Sequence, residues 1–88
     1  MTHFCYTYNQ KKCSGSFEKD DGGFNWYKVI FNDQMVIILP AGIRTNENKL
    51  IWVQKVLPLD KVWQHDLIQS LGEGLEQNAE IEHVIIKL

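Results

Sequence analysis

The side chains suited to metal or thiol chemistry in this chain are three histidines and two cysteines: His3, His65, His83, Cys5 and Cys13. Structural zinc sites usually draw their ligands from close pairs, such as two cysteines separated by two residues, and the sequence has no such pair. His3 and Cys5 stand two residues apart, so on a strand they would share a face as half of a metal site. We interpret them instead as half-buried strand residues and expect no bound metal.

A nucleophilic Cys–His site would need a further group to orient the histidine. Asp66 follows His65 directly, and adjacent helical side chains do not face each other, so Asp66 is a poor orienter. Whether Cys5 faces Cys13 depends on the loop between their strands. A three-residue loop centred on Asn9 would pair them, whereas a two- or four-residue loop would place them on opposite faces. The sequence predicts no catalytic residue and favours reduced thiols.

Two glycine-containing segments have some features of ligand-binding loops. Residues 18–23 (EKDDGG) could offer oxygens to Ca²⁺, but they lack the alternating acidic spacing and the bidentate Glu of a calcium loop. Residues 72–74 (GEG) begin like a dinucleotide loop, but Gln77 stands where a third Gly or Ala is required. Phosphate-binding and hydrolase motifs are absent from the sequence. We therefore expect neither enzyme activity nor a cofactor.

Length and composition narrow the function further. The chain has 88 residues, enough for one domain spanning 1–88, and 44% are hydrophobic, which indicates a folded globule. Its net charge is −2 and its basic residues are scattered, so we expect no binding to nucleic acid. The longest apolar run, residues 35–39, is far shorter than the roughly 20 residues of a membrane span. The beginning, MTHFCYTYNQ, lacks the basic and apolar blocks of a secretory signal, so we expect a cytoplasmic protein.

The elements that must position these residues are organised around residues 24–40 (FNWYKVIFNDQMVIILP). Two apolar runs are joined there by Asn32 and Asp33, which suit a tight hairpin turn. Alternation places one set of side chains on one face: Tyr27, Val29, Phe31, Val36 and Ile38. The other face carries Trp26, Lys28, Ile30, Met35, Ile37 and Leu39. Both faces are apolar, whereas a sheet with one wet face usually alternates apolar and polar residues.

Further strands are predicted at residues 3–8 and 13–18, which form a first hairpin, and at 50–57, around Trp52. Pro40 should end its strand or lie on an edge, and residues 41–49 should form a polar loop.

The apolar spacing becomes helical after Pro58, with Asp60 as the expected N-cap and Gln77 as the approximate end. One stripe recurs every fourth residue: Trp63, Leu67, Leu71 and Leu75. Gly72 and Gly74 would each cost about 1 kcal/mol relative to Ala inside a helix. Because the stripe continues past them, we interpret them as positions where the helix lies close against the sheet.

Residues 81–88 (IEHVIIKL) predict a terminal strand, which gives the order β-β-β-β-β-α-β. This order predicts an α+β fold of two layers, a mostly antiparallel meander of five to six strands packed on one helix near the C-terminus. A strongly bent half-barrel wrapped around the helix is the alternative.

Four segments follow one another in a recognisable pattern: the aromatic hairpin FCYTY (4–8), the strand pair YKVIFNDQMVII (27–38), a Trp-bearing strand and the helical DLIQSLGEGLEQ (66–77). In this order the chain resembles small uncharacterised bacterial proteins, many of them from Bacteroidetes. The likeness extends to Gln77, and the segment after Asn78 departs from it. Such proteins have no established activity, so the resemblance implies no site residues.

One helix cannot cover both apolar faces of the central hairpin. Either the first hairpin or the Trp52 strand covers the second face, or a partner does. The candidate interface is formed by Trp26, Lys28, Ile30, Met35 and Ile37, since aromatic and Met side chains are common at interface cores. We therefore expect a non-enzymatic module that homodimerises or binds a protein partner through this face or through a sheet edge.

Two other functions are compatible with the sequence. A small-ligand-binding protein or minor enzyme would have an aromatic pocket between sheet and helix, lined by Trp52, Trp63 and Tyr27, with His65 or His83 at its rim. An inhibitor from a phage or toxin system would fit the size and the acidic balance of the chain.

Overall fold

The fold was analysed in a computed structural model that describes residues 1–20, 22 and 24–78. It contains β1 (Thr2–Tyr8), β2 (Lys11–Lys19), β3 (Tyr27–Phe31), β4 (Gln34–Arg44), β5 (Leu50–Gln54) and α1 (His65–Glu76). The strands form one antiparallel sheet in the order β1-β2-β3-β4-β5. The predicted α+β meander is confirmed, and it is bent into a half-barrel around α1. The predicted terminal strand, residues 81–88, lies outside the described residues.

Two-residue turns determine the register of both hairpins. Asn9 and Gln10 join β1 to β2, and Asn32 and Asp33 join β3 to β4 as predicted. All four have positive φ, between 47° and 64°. This is the conformation of a type I′ turn, whose twist matches that of the flanking strands.

The short first turn decides the relation between the two cysteines. It places Cys5 opposite Ser14 and Cys13 opposite Tyr6, so the two thiols lie on opposite faces of the sheet. Both cysteines are free. The first hairpin therefore cannot contain a disulfide between them in this register.

β4 is longer than the sequence indicated. It continues through Pro40 to Arg44, so Pro40 does not end the strand and instead lies on an edge, which was the other predicted alternative. The predicted loop 41–49 was wrong for residues 41–44 and is confined to residues 45–49. The Ile37 carbonyl faces β5, where Lys55 N donates to it at 2.8 Å, so the Pro40 nitrogen faces the other side. There β3 has already ended, because Ile38 is the last β4 residue that pairs with it. The missing N–H of Pro40 thus interrupts no ladder.

The helix begins later than the sequence predicted. Its first residue is His65, and the prediction of Asp60 as its N-cap was wrong. Asp60 instead closes a turn, since its carboxylate accepts a bond from Leu57 N at 2.9 Å and its own N donates to Leu57 O at 3.0 Å. Trp63 therefore precedes the helix, although its ring still packs edge-on against Phe31, with 5.1 Å between centroids. The predicted strand 50–57 likewise ends early, at Gln54.

The core lies between the concave face of the sheet and α1, which lies against the outer strands β1 and β5 and the adjacent β4. Of the two apolar faces predicted for the central hairpin, the one that carries Tyr27, Val29, Phe31, Val36 and Ile38 is the inner face, since all five side chains are buried. Within the described residues, the hydrophobic core is formed by Phe4, Tyr6, Phe17, Tyr27, Val29, Phe31, Val36, Ile38, Leu50, Trp52, Leu67, Ile68, Leu71 and Leu75.

Two glycines bring α1 into contact with the strands. A Cβ on Gly72 would overlap the indole of Trp52, and a Cβ on Gly74 would lie 2.6 Å from the Cys5 carbonyl oxygen. Real Cβ atoms essentially never approach other atoms so closely. The interpretation of both glycines as close-packing positions is confirmed.

α1 also occupies the free edge of β5. Trp52 N donates to Gln69 Oε1 at 2.9 Å, and Gln69 Nε2 donates to the Leu50 carbonyl at 2.8 Å. One side-chain amide thus forms the two bonds that a neighbouring strand would form. His65 Nε2 lies 3.1 Å from the Trp52 carbonyl, and because a carbonyl only accepts, this nitrogen carries a proton.

The edge of β1 is covered by the other end of the helix. Gly74 lies against the Cys5 carbonyl, and Asn78 Nδ2 donates to the His3 carbonyl at 3.4 Å. Exposed strand edges are ready templates for pairing with another chain. At these positions, α1 and Asn78 lie where an added strand would pair.

Replacing Gly72 with Ala tests the close packing by the sign of its effect. Helix propensity alone predicts a gain of about 1 kcal/mol in stability. The overlap with Trp52 predicts a loss of about 1–3 kcal/mol or more, because neither the indole nor the helix can move without disturbing the core. Urea unfolding measures the stability of Gly72→Ala. The control is Glu73→Ala, a change at the next, half-buried position of the helix, measured in the same way. A Gly72→Ala variant at least as stable as the wild type would contradict the packing described.

Replacing Glu76 with Gln tests the electrostatics beneath the helix. Burial, the largest effect, raises the pKa of the Glu76 carboxyl, as does Glu73, whereas the bond from Trp52 Nε1 (3.2 Å) and Arg44 lower it. The folded protein therefore binds this proton more tightly than the unfolded chain, and ionisation removes stability as the pH rises past the ordinary Glu pKa. Gln keeps an acceptor for the indole without the charge. We expect Glu76→Gln to melt above the wild type at pH 7, with the difference vanishing near pH 4.

The control for that comparison is Glu47→Gln, which removes the same charge from a side chain that is 77% exposed. Its melting temperature should follow that of the wild type across the same pH range. If Glu76→Gln melted below the wild type at pH 7, attraction of the carboxylate to Trp52 and Arg44 would outweigh its burial.

Candidate interaction surface

The convex face of the sheet is polar on one half and apolar on the other. β1 and β2 supply the polar half: His3, Cys5, Thr7, Lys12, Ser14, Ser16 and Glu18. β3, β4 and β5 supply the apolar half: Lys28, Ile30, Met35, Ile37, Leu39, Ile51 and Val53. The two-sided apolarity noticed in the central hairpin is thus confined to the second half of the sheet.

We define the outer patch as the five predicted interface residues, Trp26, Lys28, Ile30, Met35 and Ile37, which the structure places on this convex side. Ile30 pairs with Met35, and Lys28 pairs with Ile37, across the β3–β4 ladder. Met35 is 55% exposed and Ile30 is 36% exposed, while Ile37 is half-buried. Directly opposed side chains on a sheet lie close enough to touch, so these residues form one continuous surface.

Within the described part of the chain, no strand or helix lies over the outer patch. The first hairpin and the Trp52 strand, which were the candidates for internal cover, extend the same sheet on either side of the central hairpin. α1 occupies the concave side.

Trp26 sits at one end of the outer patch in a small aromatic and charged cluster. Its ring stacks on Phe24 with centroids 4.5 Å apart, and the Lys55 ammonium lies 5.2 Å from the Trp26 centroid. A shallow depression of about 300 Å³ beside it is lined by Glu18, Lys19, Asp20, Trp26, Lys28 and Ile37. An apolar centre surrounded by mixed charges is the usual anatomy of a protein interface.

A narrower groove, of about 100 Å³, borders the other end of the outer patch. We call it the Met35 groove, and it is lined by Gln34, Met35, Val36, Ile37, Gln54, Leu57, Asp60, Lys61 and Trp63. The Gln54 side chain holds its far wall, since Trp63 N donates to Gln54 Oε1 at 2.9 Å and Gln54 Nε2 donates to the Lys61 carbonyl at 2.8 Å. Lys61 Nζ lies 3.9 Å from the Trp63 centroid. The wall is therefore held by hydrogen bonds rather than left as a free loop.

A third groove, of about 410 Å³, lies between β1 and α1. Its lining is mostly polar: Cys5, Tyr6, Thr7, Lys12, Ser70, Glu73, Gly74 and Gln77. Cys5 is exposed there, but none of these lining residues is a histidine that could activate it. Burial, together with Cys13, raises the pKa of the Tyr6 phenol, so Tyr6 stays protonated at neutral pH. Among the described residues that line it, the groove therefore has no cysteine–histidine pair.

The two histidines within the described residues, His3 and His65, have separate partners. His3 Nδ1 lies 3.4 Å from Ser16 Oγ, His65 is bound to the Trp52 carbonyl, and His83 lies outside the described residues. Asp66 Oδ1 accepts a bond from Leu67 N at 2.9 Å. Across residues 1–20, 22 and 24–78, no three His, Cys, Asp or Glu side chains are grouped to hold a metal ion.

The aromatic residues proposed to line a ligand pocket are mostly inside the core. Tyr27 and Trp52 have no exposed surface, so they present nothing to a ligand. Burial raises the pKa of the Tyr27 phenol, whose OH donates to Asn25 Oδ1 at 3.1 Å. Trp63 alone of the three lines a groove, and that groove opens beside Met35.

Sequence reasoning missed one exposed feature, the loop between β5 and α1. Four of its aliphatic side chains are exposed: Val56, Leu57, Leu59 and Val62. Leu59 is fully exposed and has a positive φ of 72°. The sequence signal that could have revealed this loop was Pro58 followed by Leu59. The segment around them was predicted to be the end of a strand and the cap of a helix.

In the described part of the chain, no helix combines the length and apolarity needed to cross a membrane. Comparison of the chain with protein-family models, with curated proteins and with solved structures gave no match.

Proposed function

We propose that this protein is a non-enzymatic interaction module that binds a protein partner, either a second copy or a different chain, through the outer patch. The observation that carries the proposal is the exposure of Ile30 and Met35 on the convex side of a sheet whose concave side is already filled. Single exposed apolar residues are normal on any protein, whereas a continuous group of them marks a binding surface.

The chemistry of the outer patch supports this function. Met is flexible and polarizable, so Met35 can adapt to a partner surface, and Trp26 offers a large aromatic contact. Lys28 and Glu18 are cross-strand partners at the margin of the patch, where charges typically set orientation and association rate. An apolar centre with a charged margin is better suited to binding a protein surface than to binding a small ligand.

The two other functions have less support. A ligand pocket between sheet and helix would need Tyr27 and Trp52 at its surface, and both are fully buried. An inhibitor from a phage or toxin system would be a special case of a protein-binding module, and no residue singles it out. Free thiols at Cys5 and Cys13 favour a cytoplasmic location, since disulfides form in oxidising compartments. The resemblance to small bacterial proteins stays a prediction.

Photocrosslinking in the native host tests the proposal. A photoreactive amino acid at position 35 should give an adduct of one defined mass, because the outer patch is in contact with a partner in the cell. The same probe at Ser14, exposed on the polar half of the convex face, is the matched control and should give none. Adding Ile30→Lys should abolish the position-35 adduct, because a charge replaces an apolar contact.

Two outcomes would contradict the proposal. The first is a folded protein that gives no defined adduct at position 35. The second is an adduct that Ile30→Lys leaves unchanged while circular dichroism shows an intact fold.

A further inference from the structure

Residues 57–60 form a rigid turn that holds one leucine away from the protein. Asp60 N donates to the Leu57 carbonyl at 3.0 Å, and the Asp60 carboxylate accepts from Leu57 N at 2.9 Å. Pro58 precedes Leu59 in the turn, and Leu59 has φ of 72°. This is the pattern of a type II turn, in which the third position normally belongs to Gly.

Leu59 gives the isolated chain no apparent structural benefit. A branched residue at positive φ is strained by about 1–2 kcal/mol, and the side chain is fully exposed, so it gains nothing from burial. Glycine would relieve the strain at this position. Residues held in unfavourable backbone conformations are candidates for function, and a fixed, projecting leucine has the form of an interface anchor.

The Met35 groove offers a receptor of matching size. It has a volume of about 100 Å³ and a mixed lining, in which Met35, Ile37 and Trp63 are among the apolar residues. An apolar cavity of about 150 Å³ holds benzene, so a smaller groove suits the four-carbon side chain of leucine. Leu57 also lines the groove, so projection and receptor lie beside each other on one surface.

We propose that the partner at the outer patch is a second copy of this chain, with Leu59 of each copy seated in the Met35 groove of the other. The inference rests on the proposed function, because Met35 and Ile37 belong to both surfaces. A two-fold interface is self-complementary: if residue i meets residue j, then j also meets i. Leu59 and the Met35 groove lie side by side on one surface, so each copy can insert its leucine and receive that of the other, as a two-fold interface requires.

The charges around the groove are also self-complementary. Asp60 and Lys61 follow Leu59 in sequence and also line the groove. Two-fold exchange of Leu59 therefore brings Asp60 of each copy towards Lys61 of the other. Within the described residues the ion pair is Lys49–Glu47, so neither Asp60 nor Lys61 is already neutralised by one. Opposite charges at the margin favour this docking over a shifted one.

Sedimentation equilibrium of the full chain tests the inference with Leu59→Gly. The wild type should dimerise. Leu59→Gly should weaken the dimer by about 100-fold, because two leucines per dimer lose their burial. Its monomer should melt at or above the wild-type temperature, since Gly relieves the strained turn. The matched control is Val62→Ser in the same loop, where the side chain is 70% exposed and does not line the groove. This variant should dimerise like the wild type.

The outcomes separate this inference from the proposed function. A wild type that stays monomeric at every concentration overturns the second copy as partner. A dimer that Leu59→Gly leaves intact and Met35→Glu dissociates overturns the seating of Leu59 in the Met35 groove, although the second copy still binds at the outer patch. In both cases the proposed function stands if position 35 crosslinks to a defined partner. Both proposals fail if there is neither a dimer nor a crosslink.

Discussion

The contact between Trp52 and Gly72 is the constraint on which the rest of the structure depends. The indole lies where a side chain at position 72 would otherwise be, so the helix can approach β5 closely. At that separation the helix also satisfies the polar groups of Trp52: Gln69 accepts from its N–H, His65 binds its carbonyl, and Glu76 accepts from its indole nitrogen. A fully buried tryptophan needs such partners, because an unsatisfied buried polar group is costly.

Among the described residues, this constraint places the helix on the concave side and leaves the convex side without a covering element. The helix fills the concave side and stands at the free edges of β1 and β5, so neither pocket formation nor strand addition is favoured where it packs. A chain of 88 residues has little material for a second covering layer. The apolar half of the convex face, with Ile30 and Met35 exposed, is the consequence of a hairpin that is apolar on both sides.

The features of the fold that depend on interactions between neighbouring residues could be predicted from the sequence. The turn at residues 32–33 and the alternation around it were predicted correctly, because a tight turn and a two-residue period depend on the types of neighbouring residues. Asp60 was assigned wrongly because capping a helix and closing a turn use the same carboxylate chemistry. Whether Pro40 ends its strand or lies on an edge stayed open in the sequence, because the outcome depends on where another strand ends. Leu59 was missed, since a projecting leucine at positive φ follows from the turn geometry and not from apolar periodicity.

Hydrogen exchange at the Trp52 backbone amide is the most direct measurement of whether the helix closes the sheet. This amide faces away from β4, on the outer edge of an edge strand, and donates to Gln69. We predict that it exchanges as slowly as the Val29 amide in the central strand, because both would open only when the whole domain unfolds. Exchange orders of magnitude faster at Trp52 than at Val29 would contradict a helix that seals the edge of β5 and so directs the proposed interface to the convex face.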